Sequence, residues 1–113
     1  MRLTGKHILI KIKHKNKGNT LLVDAIDELI RTIENSTWDS KEAVQKDRPD
    51  ADQVHNDGFY FFDINIHRTL ILIELGVDGE ATIAWGGTHK EYDDTFKGNK
   101  PTINKWLKKR GYI

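Results

Sequence analysis

Ala81-Thr82-Ile83-Ala84-Trp85-Gly86-Gly87-Thr88-His89-Lys90-Glu91-Tyr92-Asp93 is the stretch that decides the fold. Its first five residues are β-branched, small or aromatic, the composition of a strand, and the run stops at two glycines. Thr88 followed three residues later by Glu91 is the capping-box pattern that opens a helix. The stretch therefore predicts a strand, a tight turn at Gly86-Gly87 and a helix beginning at Thr88. On that helix His89 and Tyr92 stand three apart and project from one face, beside backbone N–H groups that attract anions. An imidazole and a phenol so placed suit acid–base work on a phosphodiester. They equally suit a capped helix whose His and Tyr cover a sheet edge, and local spacing alone favours that plainer reading.

Upstream, Thr69 to Leu75 is a nearly continuous apolar run, the signature of a strand buried on both faces. His67-Arg68 reads as a bend, and Phe59 to Ile66 as an alternating strand preceded by the hairpin signal Asn56-Asp57-Gly58. Ala51 to His55 is a short extended piece. From Thr20, apolar residues Leu22, Val23, Ile26, Leu29, Ile30 and Ile33 recur at helical spacing, and Ser40 opens a second, short helix closed by Pro49. Lys6 to Lys13 alternates, with Ile8, Ile10 and Ile12 on one side, and predicts a half-buried first strand. Downstream, Lys97 to Lys100 is a loop, and Pro101 opens a final amphipathic helix carrying Ile103, Trp106 and Leu107. The order gives a single α+β domain over residues 1–113, with helices packed on one face of a twisted, mainly antiparallel sheet.

Composition narrows the function classes. A chain of 113 residues supports one core, and three Trp, three Tyr and four Phe with two Pro point to a folded protein. The absence of Cys removes disulfides and thiolate metal sites and points to a reducing cytoplasm. No apolar run reaches the ~20 residues of a membrane span, and Lys11 and Lys13 interrupt any leader-like segment. The net charge of +1 does not by itself suggest nucleic acid. The distribution is uneven, however: Lys6 to Lys17 and Lys97 to Arg110 are basic, and the acids lie between them. The five histidines lack the i, i+4 or short Cys/His spacing of zinc sites, so neither a metal nor a cofactor is expected.

Gly87-Thr88-His89-x-Glu91-Tyr92-Asp93, with Trp38 upstream and Ala51-Asp52 ahead of a Phe-rich strand, resembles the HigB family of bacterial toxins, small RelE-like proteins of type II toxin–antitoxin systems. The resemblance covers residues 1–96, leaving residues 97–113 as a C-terminal helical extension. It implies a β-α-α-β-β-β core and a metal-independent mRNA interferase, an endoribonuclease acting on messenger RNA at the ribosome. It also implies silencing by a helix-turn-helix, HigA-like antitoxin, with DNA contacted only through the antitoxin complex, and no membrane partner.

Cleaving RNA without a metal needs one group to take the 2′-hydroxyl proton, another to protonate the leaving oxygen, and cations at the charging phosphate. His89 titrates in the right range by type, and Tyr92 can stack on a base or donate a proton. Arg68 and Lys90 are the nearest cations, and Asp93 could orient His89. Lys11, Lys13 and Lys97 are candidates for RNA contact. Ala84 stands where these toxins commonly carry an Arg, and Gly58 or Phe59 where another basic residue is often found. These departures open an alternative, a catalytically weak RelE-like binding module that acts through a partner. The nuclease reading expects Arg68 and His89 on one concave face, with Lys11, Lys13 or Lys90 within reach of a common phosphate.

Overall fold

The apolar runs form the centre of one five-stranded sheet in the computed structural model, which describes residues 1–113. The elements in chain order are β1 (Arg2–Thr4), α1 (Lys6–Lys15), α2 (Thr20–Glu34), α3 (Lys41–Asp47), β2 (Asp52–His55), β3 (Phe59–Ile64), β4 (His67–Glu74), β5 (Glu80–Thr88), α4 (His89–Phe96) and α5 (Lys100–Lys109). The sheet order is β1-β5-β4-β3-β2. Only β1 pairs in parallel, with β5; the other neighbours are antiparallel, so the fold is the α+β arrangement expected.

Lys6 to Lys13 is helix, not strand. Ile8, Ile10 and Ile12 mimic a period of two, yet Leu9, on the supposed polar side, is the residue α1 buries completely. Ile8 and Ile12 pack beside it, while Ile10 is exposed. The leading strand is instead Arg2–Thr4, at the sheet edge rather than near its centre. Gly5 makes the turn from β1 into α1: its φ is +82°, and a Cβ there would lie 2.6 Å from the Ile83 carbonyl oxygen.

Helices cover both faces of the sheet, not one. Tyr60, Phe62 and Ile64 of β3, with Ile71, Ile73 and Ile83, meet the stripe Leu22, Ile26, Leu29 and Ile33 of α2, together with Leu9 and Val44. Phe59 and Phe61 point the other way and, with Leu70, meet Phe96, Ile103 and Leu107 of α4 and α5. Each such fully buried side chain contributes about 1.5–3 kcal/mol relative to exposure. The run Phe59-Tyr60-Phe61-Phe62 already carried the signal, because a strand apolar on both faces needs cover on both.

Two boundaries shift in ways that matter below. The chain reverses at Asn65-Ile66, where Asn65 adopts φ +60°, so His67 and Arg68 are strand residues rather than a bend. β5 continues through Gly86-Gly87 to Thr88 rather than stopping at Trp85. No helix is long and apolar enough to cross a membrane.

Candidate functional site

The end of β5 and the start of α4 form the hub. Thr88 caps α4: its Oγ1 accepts the Glu91 N–H at 3.0 Å, and Glu91 Oε1 accepts the Thr88 N–H at 2.9 Å. This reciprocal pair is the capping box read from the sequence, worth about 1 kcal/mol at the cap residue. The Thr88 N–H, outweighing partial burial and helped by the Thr88 hydroxyl and the charges of His67 and Lys15, holds the Glu91 carboxyl below the usual carboxylate range. His89 is the first residue of α4 and is exposed.

Alternation along β4 sends His67 and Arg68 to opposite faces. His67 pairs across the sheet with Thr88 and Arg68 with Gly87, so both reach the hub. On the α4–α5 face, the Arg68 guanidinium lies 4.6 Å from the Tyr92 ring centre and 5.0 Å from that of Phe61. Its Nε donates to Asp63 Oδ1 at 3.0 Å. Tyr92 meets Phe61 edge to face at 4.9 Å, and Phe61, Trp85 and Trp106 surround Phe96 at 5.1–5.3 Å. Stacking of this kind adds roughly 0.5–1.5 kcal/mol per aromatic pair beyond burial, and a guanidinium over a ring adds roughly 0.5–2 kcal/mol more. Ala84 packs against the same cluster.

On the α1 face, an open groove of about 660 Å³ runs between α1 and the ends of β4 and β5. His7, Lys11 and Lys15 line it from α1, and His67 and Glu91 from the opposite wall, with Gly86 and Gly87 between. Gly86 lets α1 approach: a Cβ there would lie 3.0 Å from Ile12 Cδ1 and 3.3 Å from Ile8 Cγ2 and Leu9 Cδ2. His67 is 5% exposed, and its Nδ1 is buried without a hydrogen-bond partner, which costs about 1–3 kcal/mol. Burial pushes the His67 imidazole below its ordinary pKa; the Glu91 carboxylate opposes this and nearby His89 adds to it.

Arg68 and Tyr92 therefore come together on the α4–α5 face, and His89 stands at the helix start close enough to His67 to affect its charge. Lys90 points into solvent and binds Asp94 Oδ2 at 2.8 Å; that hydrogen bond and the Asp94 charge raise its pKa. Lys97 ends α4 in a left-handed conformation. Lys13 forms an ion pair with Asp27 and is committed to the α1–α2 contact. Lys11 lines the groove, on the face opposite Arg68, so these two cations do not share one anion site. The placement of Lys11 and Lys13 on the outward side of a central strand is thus replaced by a helix that divides them between two surroundings. His67 and Lys15 escaped the sequence reading. The spacing His7, Lys11, Lys15 reveals Lys15 once the segment is read at 3.6 residues per turn, and no local signal marks His67. Asp93 has no hydrogen bond to His89; its carbonyl accepts the Lys97 N–H.

A five-stranded α+β sheet closed at its last strand by a capped Thr-His-x-Glu-Tyr-Asp turn is consistent with a RelE-like fold. The family of HigB toxins, described as the RelE-like toxic component of a toxin–antitoxin system, matches residues 23–95, and the chain belongs to that family. A toxin of such a system has an antitoxin as its partner. The match takes in Arg68, His89, Lys90 and Tyr92 and leaves α1 outside. No curated protein matches the chain.

Proposed function

We propose that this toxin is a metal-independent endoribonuclease that cuts messenger RNA on the ribosome, leaving a 2′,3′-cyclic phosphate. The observation that carries the reading is the capped junction, which holds an exposed His89 at the start of α4, three residues before Tyr92, and Arg68 lies over the Tyr92 ring. His89 takes the proton of the 2′-hydroxyl as that oxygen attacks phosphorus, and the 5′-oxygen leaves with a proton from a general acid. Tyr92 is within the same helical turn and serves as that acid or as a platform for a base. Arg68 meets the charging phosphate. Its bond to Asp63 is an exchangeable one, because the Asp63 side chain is half exposed and such pairs are worth about 0–1 kcal/mol. Lys90 adds positive charge at the helix start. A HigA-like helix-turn-helix antitoxin silences the enzyme, with DNA engaged only through the antitoxin complex, in the cytoplasm.

Expression without antitoxin should arrest growth, and His89→Ala or Tyr92→Phe should relieve the arrest in proteins that still melt as the wild type does. Toxicity that survives both substitutions would remove these residues from the mechanism.

One set of contacts favours a second reading, a binding module with little catalysis. Arg68, Lys90 and Lys13 are each engaged by a carboxylate, and Ala84 supplies no charge on the Arg68 face. Growth arrest with intact transcripts would select it.

A further inference from the structure

The groove on the α1 face is absent from the junction chemistry described above. Lys11 and Lys15 are exposed, and neither takes part in an ion pair of the chain. With His7 they form a row at four-residue intervals, about 6 Å apart along the helix axis. The opposite wall carries one acid, Glu91, whose Oε1 is already bound to the Thr88 N–H. The wall also holds His67, with a buried Nδ1 that the protein leaves unpaired. Between the walls the backbone of Gly86 and Gly87 has no side chains, and the lining reaches Thr88, the cap residue that immediately precedes His89.

We propose that this groove is a track for the sugar-phosphate backbone of single-stranded RNA, with Lys11 and Lys15 on successive phosphates, leading the strand to His89. The proposal deepens the nuclease reading and rests on it. Charge complementarity selects an anionic occupant, since two unpaired lysines face one internally bonded carboxylate. Of the apolar side chains that line it only Ile66 is strongly exposed, so the unpaired lysines rather than an apolar contact select the occupant, RNA over a protein segment. Ile8 and Ile12 are used against Gly86, so the groove offers no pocket for the buried anchor that protein interfaces depend on. Lys13, bound to Asp27, lies outside the track.

The test uses the full chain in a His89→Ala background, which prevents cleavage, and a fluorescein-labelled short single-stranded RNA read by anisotropy. Lys11→Gln/Lys15→Gln should raise Kd about tenfold and flatten the plot of log affinity against log salt by roughly 1.4, two phosphates' worth for a single strand. Lys11→Arg/Lys15→Arg should restore both. Lys108→Gln/Lys109→Gln on α5 should leave Kd within about twofold. Unchanged binding by the α1 pair, an equal loss from the α5 pair, or a poly-glutamate peptide of the same length competing as well as RNA would overturn the track. Transcript cleavage by the wild type in cells is read separately. Cleavage with an α1 pair that binds and cuts normally rejects the track and keeps the nuclease. RNA binding that depends on Lys11 and Lys15 without cleavage keeps the track and rejects the nuclease.

Discussion

The two faces of the sheet spend their charged residues differently. On the α4–α5 face Arg68 lies over Phe61 and Tyr92 and is bound by Asp63, so its charge is part of an aromatic scaffold. On the α1 face the contacts beneath the helix are aliphatic, and the row His7, Lys11, Lys15 is left facing an open groove. Adjacent residues of one strand, His67 and Arg68, mark the division. Counting cations therefore says little about anion binding; what matters is which cations the fold has already satisfied.

The largest effect that would sharpen this contrast is at the centre of the aromatic face. Phe61→Ala should cost about 3–5 kcal/mol in denaturant unfolding, because it leaves a cavity among Tyr92, Trp85 and Phe96 and removes a ring beneath Arg68. A loss below about 1 kcal/mol would show that the cluster is not the support of that face.

On the other face, Gly86→Val should cost about 1–3 kcal/mol by pushing against Ile8, Leu9 and Ile12. It should also displace α1 and weaken RNA binding. A neutral result would mean that α1 is not seated on β5. Thr88→Ala strikes the hub shared by both faces and should cost about 1 kcal/mol, with Thr88→Ser retaining most of it.

Smaller again is a pH effect on the groove wall. His67 has a folded pKa below its ordinary 6.5, so the unfolded chain binds more protons just under that value. Its contribution is complete above about pH 6.5 and is lost as pH falls through the folded pKa. His67→Gln should remove that slope from a plot of unfolding free energy against pH. Glu91 and Asp50 act lower, in the carboxylate range. Burial raises the Asp50 pKa, but the hydrogen bond from Arg48, the Asp63 N–H and the Arg48 charge together bring it below 3.8. The smallest effect is expected of Asp63→Ala, about 0–1 kcal/mol in stability because the carboxylate is half exposed. That change should free Arg68 and, on the nuclease reading, leave cleavage intact or improved.

Local chemistry made much of the fold legible. The capping box, the α2 stripe and the apolar centres of β3, β4 and β5 are decided by nearest neighbours and stand as read, while β4 starts earlier and β5 runs further than the apolar runs showed. What failed depended on distant partners. Alternating isoleucines in Lys6–Lys15 fit either period until Leu9 is seen buried against the sheet. Gly86-Gly87 looked like a stop because two glycines usually break a strand, whereas Gly86 continues β5 and makes room for α1. His89, Tyr92 and Arg68 could be singled out because a contiguous motif or a strand entrance carries them. His67 and Lys15 could not, since one was read into a bend and the other depends on a segment being helical.

The most direct measurement is the sequence-mapped ends of transcripts after induction of the toxin without antitoxin, comparing wild type with a His89→Ala protein of unchanged melting temperature. New 2′,3′-cyclic phosphate ends are expected with wild type and should fall at least about a hundredfold with His89→Ala, the range of a lost general acid–base group. Equal cleavage by both proteins, or growth arrest by wild type with transcripts left whole, would contradict a nuclease built on the β5–α4 junction.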